Sequence, residues 1–407
     1  MNHQLPCARP GGTVAHFATS LDIGGAQAML RKLVGHSDHR TDALSHAIVS
    51  LLPPGAFSPV GTRCPVYSLY MPRGRLPSIS SLMRLLRITN RLRPEILQGW
   101  MYHGNLAASL ASMVSPDAGP VLWNVRHSLA DAAVETRTTR AILALSARLS
   151  SRTAAILYNS QTAARQHERI GFNPARSVFI PNGFDCTSYR PDRTRRALLN
   201  ELFAVPEGRT CVAVIGRCHP MKDHVSAVEA ARRVIGSGRD IHLLLVGPGM
   251  DSPPADLKSA VALLGDRVTV VSARTDVADW LPGIDMLMLS SAWGEAFPNI
   301  LGEAMACGVP CVATDVGDSS LVVGDTGVIV PPGNSDALSQ ALTRMYDGGP
   351  AELLQRGLAA RRRVEENFEL GAIAARYRRL YQSVLHGSRT AVRQSSQNTS
   401  QAQAALP

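Results

Sequence analysis

Short apolar runs alternate with segments of helical period along this chain, and the alternation stops once near the middle and restarts. The runs TVAHFAT (13–19), ALSHAIVS (43–50), EILQGW (95–100), PVLWNV (120–125), AAILYN (154–159) and SVFIPN (177–182) read as strands. Between them, residues 25–36, 78–92, 104–114, 134–149 and 160–170 place apolar side chains at i, i+3 and i+4. The second set of strands is CVAVIG (211–216), IHLLLVG (241–247), RVTVVS (267–272), IDMLMLS (284–290) and PCVAT (310–314). Helical stretches at 223–236, 276–282, 298–306, 335–346 and 351–367 separate these. Strands that stay apolar along their whole length are buried on both faces, so each set predicts a parallel sheet covered by helices. The expected architecture is α/β, with two doubly wound Rossmann-like domains facing across a cleft.

The expected boundaries follow from the breaks in that pattern. Residues 1–188 form the first domain and 189–369 the second, with the Pro-rich, charged segment 189–209 as the connection. A helix over 370–387, apolar at Ile373, Tyr377, Leu380, Tyr381 and Leu385, is expected to cross back to the first domain. Residues 388–407 are rich in Ser, Gln, Asn, Thr and Ala and read as a disordered tail.

Composition narrows the class. With 407 residues, 45% apolar and 18% charged, the chain has enough core for two or three domains. No run of 18 apolar residues occurs, and the first twenty residues lack a basic start followed by an apolar stretch, so neither a spanning helix nor a secretory signal is expected. Seven cysteines without a C-x-x-C pair or zinc spacing read as buried thiols of a reducing, cytoplasmic setting. The net charge of +10 is unevenly placed: residues 1–188 carry 19 Lys+Arg against 9 Asp+Glu, whereas residues 189–407 carry 23 of each. That skew points to a polyanionic partner for the first half: a phosphorylated substrate, an anionic membrane surface or nucleic acid. Nucleic acid is disfavoured, because no recognised binding motif appears and aromatics are only 5% of residues.

Ligands of open α/β sheets bind at the carboxyl ends of strands, so the loops there carry the informative residues. In LDIGGAQ (21–27), Gly24 and Gly25 precede a helix and allow backbone N–H groups to approach an anion. In IGRCHPMKDH (215–224), Arg217 and Lys222 offer a fork and a point charge to a diphosphate. Lys222 is one of only three lysines, with Lys32 and Lys258. The longest signal is SSAWGEAFPNILGEAMACGVPCVATDVG (290–317). There Pro298 opens a helix whose N-terminus at Phe297–Ile300 presents free N–H groups, with Glu295 before it and Glu303 one turn inside. A carboxylate beside a polyanion does not serve by charge, so Glu303 is read as accepting hydrogen bonds from ribose or sugar hydroxyls.

In this order, the Gly-Gly loop, the segment IPNGFD (180–185), the basic loop and the E-x7-E stretch resemble glycosyltransferase family 4, of GT-B fold, over roughly residues 11–387. The resemblance implies transfer of a hexose-type sugar from a nucleotide diphosphate sugar, UDP favoured, with retention of configuration. It assigns Arg217, Lys222, Gly24 and Gly25 to the diphosphate, and Glu295, Ala296, Phe297, Pro298 and Asn299 to the donor sugar and phosphate. Glu303 falls to the ribose, and Ala273 and Arg274 to the base. His127, with His103 and Asn105, stands on the acceptor side, and His127, Glu295, Arg217 and Lys222 form the catalytic set. One departure is Ala296, where many relatives have glycine.

No D-x-D pair occurs, so neither a metal nor another cofactor is expected. The implied chemistry is front-face displacement, with the charge of the leaving diphosphate met by Arg217, Lys222 and the helix N-terminus. On the acceptor side, RGRLPSISSLMRLLRITNRLRP (73–94) is a basic amphipathic helix. Its apolar stripe at Ile79, Leu82, Leu85, Leu86 and Leu92 is expected to pack on the sheet. Arg73, Arg75, Arg84, Arg87, Arg91 and Arg93 are left to face an anionic membrane surface. A lipid-linked saccharide acceptor in cell-surface polysaccharide synthesis fits the basic first half, and a peripheral place on the inner face of the plasma membrane goes with it. The competing readings are a nucleotide-sugar epimerase, a phosphorylase and a non-catalytic sugar-nucleotide binder. A phosphorylase lacks a lysine in a pyridoxal context, and VGPGMD (246–251) falls short of the glycine pattern of a dehydrogenase.

Overall fold

Runs of Val, Ile and Leu long enough for one strand, punctuated by capped helices, close into two fully parallel sheets. The computed structural model describes residues 12–22, 24–36, 44–53, 64–74, 77–115, 117–129 and 135–404, with side chains to 387. In the first domain, β1 (Thr13–Ala18), β2 (Ser45–Ser50), β3 (Val66–Ser68), β4 (Ile96–Trp100), β5 (Val121–Val125), β6 (Ala155–Tyr158) and β7 (Ser177–Phe179) lie in the order β3-β2-β1-β4-β5-β6-β7. In the second, β8 (Thr210–Ile215), β9 (Ile241–Val246), β10 (Val268–Val271), β11 (Met286–Leu289), β12 (Cys311–Thr314) and β13 (Val328–Val330) lie in the order β10-β9-β8-β11-β12-β13. Strand order reverses between β1 and β4 and again between β8 and β11. Each reversal opens a crevice at the carboxyl ends, and the loops singled out above leave these very strands.

Around the first sheet stand α1 (Gly25–His36), α2 (Ile79–Leu92), α3 (Met101–Val114), α4 (Arg137–Leu149) and α5 (Gln161–Arg169). The second domain carries α6 (Arg195–Phe203), α7 (His224–Gly236), α8 (Ala255–Ala262), α9 (Val277–Trp280), α10 (Asn299–Ala306), α11 (Ser319–Val323), α12 (Ser335–Asp347) and α13 (Gly349–Asn367). The final helix, α14 (Leu370–Ala404), returns to the first domain. Its Leu370, Ile373, Ala374, Tyr377 and Tyr381 pack in one core with Val14, Leu30, Ile48, Ile96 and Leu122.

Several details depart from the periodicity reading. The edge strands β3 and β13 are three residues each, too short to register as runs. The connecting segment contains α6, anchored by buried Leu199 and Phe203. Helix α3 begins at Met101 instead of 104, because the chain turns straight from β4 through a left-handed Met101, φ 61°. Close packing follows from that turn: a Cβ at Gly104 would sit 2.2 Å from the Phe17 carbonyl oxygen. The tail expected to be disordered after 387 continues as helix to Ala404, a stretch free of Pro and Gly.

The apolar stripe of α2 does not pack on the sheet as a unit. Its buried line is Ser81, Leu85 and Thr89, one residue per turn, which swings Ile79 (81% exposed) and Leu82 (40% exposed) out to solvent. Arg84 lies over the Tyr70 ring at 4.9 Å, and Arg73 pairs with Asp22 at 2.7 Å. Arg75 falls outside the described residues.

One carboxylate joins the two domains. Buried Asp318, just before α11, accepts from the Ser160 hydroxyl (2.9 Å), Gln161 N–H (2.7 Å) and Thr162 N–H (3.0 Å) at the start of α5. Ser160 caps the same helix, accepting from Ala163 N–H at 3.0 Å. The first-turn donors of α5 are thus satisfied by one side chain from each domain.

Four buried histidines are held neutral. Trp100 Nε1–H donates to His16 Nδ1 (3.1 Å), which leaves His16 Nε2–H to donate to His46 Nδ1 (2.8 Å). His167 donates from Nδ1 to the Ala163 carbonyl (2.7 Å) and accepts from the Tyr102 hydroxyl at Nε2 (2.8 Å). Burial pushes His16 well below its usual range, and His167, His224 and His242 down to about 4. In the unfolded chain these rings protonate near 6.5, so between 6.5 and 4 the unfolded state binds more protons. Stability should therefore fall on acidification through that window, by about 1.4 kcal/mol per ring per pH unit. Denaturant midpoints at about pH 7.5, 6 and 5 check this, and a flat profile refutes it.

Candidate active site

The two loops of the second domain are tied to each other. Lys222 closes a single 3-10 turn, Pro220–Lys222, ahead of α7, and its ammonium forms a close ion pair with the Glu295 carboxylate. Ser291 adds a hydroxyl donor to the same carboxylate oxygen at 2.6 Å. The backbones are joined as well, with Ala292 N–H donating to the Met221 carbonyl (2.8 Å) and the Ser290 hydroxyl to that of Lys222 (2.7 Å). Arg217 stands in the same loop, its Nη2 at 3.1 Å from the Met221 sulfur, with no carboxylate partner among the described residues.

The helix N-terminus takes shape as the proline predicts. Pro298 is the N-cap of α10 and no side chain caps the helix there, so its first N–H groups stay available. Ala296 and Phe297 are buried beneath, and Asp318 N–H donates to the Ala296 carbonyl at 2.9 Å. Gly317, φ 63°, makes this crossing: a Cβ there would sit 2.1 Å from the Glu295 carbonyl oxygen.

The first domain closes over this end of the cleft. A Cβ built on Gly25 would stand 3.6 Å from Asn299 Nδ2, so the Gly-Gly loop faces the start of α10. Beneath the loop, Ala18, Thr19, Ala26, Gln27, Trp100 and Met101 enclose only about 20 Å³. Lys32, on α1, reaches across to Glu303 at 3.4 Å. Periodicity reasoning missed this cross-domain contact of Lys32.

The remaining candidates are dispersed. His127 follows β5 with its Nε2 3.4 Å from Glu135 and its ring edge-on to Tyr102, 6.5 Å between centroids. His103 is exposed on the first turn of α3. Asn105 is buried, and its side-chain oxygen accepts from Asn124 N–H at 3.2 Å. Arg274 is held by Asp276 and lies over Phe203 at 5.4 Å, and Ala273 beside it is exposed. Among the described residues no group of three His, Cys, Asp or Glu is arranged to hold a metal. No described helix is long and apolar enough to cross a membrane.

Residues 23–188 match the model of Glycosyltransferase Family 4, and residues 209–348 that of Glycosyl transferases group 1. N-acetyl-alpha-D-glucosaminyl L-malate synthase of Bacillus anthracis is 31% identical over 192 residues, covering 46% of this chain and 49% of that protein. D-inositol 3-phosphate glycosyltransferase of Rhodococcus erythropolis is 30% identical over 213 residues, 49% of this chain and 47% of the other. The chain thus spans about half the length of the curated relatives it matches. Among solved structures, Anabaena Alr3699/HepE in complex with UDP is similar at TM-score 0.77 and 19% identity, over 91% of this chain and 100% of that one. Sucrose-phosphate synthase from Thermosynechococcus elongatus follows at 0.74 and 20%, over 92% and 100%. With both halves matched in order and two parallel sheets of the GT-B type, the chain belongs to the family 4 glycosyltransferases.

Proposed function

We propose that the protein transfers a hexose-type sugar, with retention, from a nucleotide diphosphate sugar to a saccharide hydroxyl, and that UDP is the carrier. The observation that carries this reading is Lys222 beside Glu295 at the uncapped start of α10, opposite Gly24–Gly25. In the bound state Lys222 and Arg217 meet the diphosphate, which frees the Glu295 carboxylate to accept from donor-sugar hydroxyls. Glu303 accepts from the ribose. The bond from the sugar's anomeric carbon to the phosphate oxygen breaks as the acceptor oxygen bonds to the same face of that carbon. The departing phosphate oxygen takes the acceptor's proton. His127 and His103 line the acceptor side, and the charge is met by protein groups without a metal.

Trp293, two residues before Glu295, is 44% exposed, whereas Trp100, Trp123 and Trp280 are buried. Titration of UDP- and GDP-linked sugars in chelator is expected to give binding by calorimetry and a change in tryptophan fluorescence. Trp293→Phe should remove the fluorescence change. No binding by any donor to folded protein would sink the reading, and binding without turnover on any acceptor would leave only a nucleotide-sugar-binding protein.

The acceptor we propose is lipid-linked, met on an anionic cytoplasmic membrane face during cell-surface polysaccharide synthesis. Exposed Ile79, Leu82 and Met83 on α2, beside Arg84, Arg87 and Arg91, support it. At about 1 kcal/mol per arginine near such a surface, Arg84→Glu with Arg87→Glu should weaken binding to anionic vesicles by tenfold or more. Equal co-sedimentation with neutral and anionic vesicles would defeat this part alone.

A further inference from the structure

Arg126 leaves the end of β5 and lies over the Trp100 ring, 5.5 Å from its centroid. Among the described residues no carboxylate pairs with it. Its Nη1 donates to the Tyr377 hydroxyl (3.2 Å) and Asn124 Oδ1 (3.4 Å), and its Nη2 to Asn182 Oδ1. A guanidinium has only N–H groups, so Asn182 must turn its carbonyl oxygen toward it. Asn159 Nδ2 donates to that same oxygen at 3.3 Å.

The orientation of one amide then dictates the next. With its oxygen committed to Arg126, Asn182 presents Nδ2 to the second domain, donating to the Phe297 carbonyl (3.2 Å) and Asn299 Oδ1 (2.6 Å). Asn299 opens α10. Its oxygen is held by Asn182, so its Nδ2 turns to the Gly-Gly loop, 3.6 Å from where a Gly25 Cβ would be. That nitrogen has no hydrogen-bond partner among the described residues. A free asparagine amide can rotate by half a turn, and the flipped form would present a carbonyl oxygen to the same space.

We propose that Arg126 and Asn182 are positioning residues that lock the Asn299 side chain with its N–H groups toward the donor diphosphate, adding a side-chain donor to those of the helix backbone. The inference rests on the nucleotide-sugar reading above. Arginine suits the head of this chain because it cannot accept a hydrogen bond and so forbids the reversed order.

Calorimetric titration of UDP tests it, in wild type, Asn182→Asp, Asn299→Ala, the double variant and Arg126→Lys, with GDP in its place if that is the diphosphate the wild type takes. Aspartate keeps the bond to Arg126 but cannot donate to Asn299, which is then free to flip. Asn182→Asp and Asn299→Ala should each weaken binding about tenfold, as loss of a hydrogen bond to a charged group does. The double variant should be no weaker than Asn299→Ala, and Arg126→Lys, still a pure donor, should stay within about threefold of wild type. An unchanged Asn182→Asp overturns the proposal. So do losses that multiply in the double variant, since a bare charge or packing effect at Asn182 would persist without the Asn299 amide. A wild type that binds no nucleotide diphosphate removes the donor reading and this inference together, whereas normal wild-type binding with an insensitive Asn182→Asp removes this inference alone.

Discussion

Lys222→Met is expected to lower turnover by about 10²–10³-fold and, in the same variant, to lower stability by about 3 kcal/mol. The two losses have different origins. Turnover falls because the charge that develops on a leaving diphosphate is no longer met by the ammonium at the start of α7. Stability falls because Glu295, buried and held by Lys222 and Ser291, is left as an uncompensated carboxylate. A second substitution separates them: Lys222→Met with Glu295→Gln should regain most of the stability, since a neutral amide keeps the Ser291 hydrogen bond, and should recover no activity. Glu295→Gln alone should stay folded and lose turnover through the donor sugar. Steady-state rates and denaturant midpoints on the three variants decide this. Unchanged turnover in Glu295→Gln would remove the donor-sugar role.

The second large effect is expected at the joint between the domains. Asp318→Ala strands two N–H groups of α5 and the Ser160 hydroxyl inside the interface, a loss of about 3 kcal/mol. Asp318→Asn keeps one acceptor oxygen and should lose about half of that. The carboxylate holds one domain's helix from the other domain, so the calorimetric trace should also change shape, with one transition separating into two. If Asp318→Ala melts as the wild type does, the joint is carried by the apolar contacts and by α14 instead.

Much of this was legible in residue order because doubly wound sheets write themselves plainly. A strand buried on both faces is a continuous apolar run, and the loop that follows it carries the chemistry. That logic pointed to the loops of Gly24–Gly25, Lys222 and Glu295 and to the start of α10, and in the structure Lys222 pairs with Glu295 while Gly25 faces Asn299. The same logic did not show that a left-handed Met101 starts α3 three residues early, nor that Asn105 is buried with its oxygen on Asn124 N–H. It split wrongly on α2, where apolar spacing alone could not tell which line of side chains would be buried. Cross-domain pairs left no periodic trace. Asp318 with Ser160, Lys32 with Glu303 and Asn182 with Asn299 are separated by 158, 271 and 117 residues, and each is meaningful only once both sheets are built.

The return of α14 to the first domain has a consequence for the order in which the protein is made. A ribosome delivers the first domain's seven strands early, yet the helix that completes one face of that sheet emerges only after the whole second domain. The second domain, contiguous in sequence, can close its own core first. Until Ile373, Tyr377 and Tyr381 arrive, the earlier half must wait with its apolar face uncovered, a stretch of synthesis in which chaperones have something to hold.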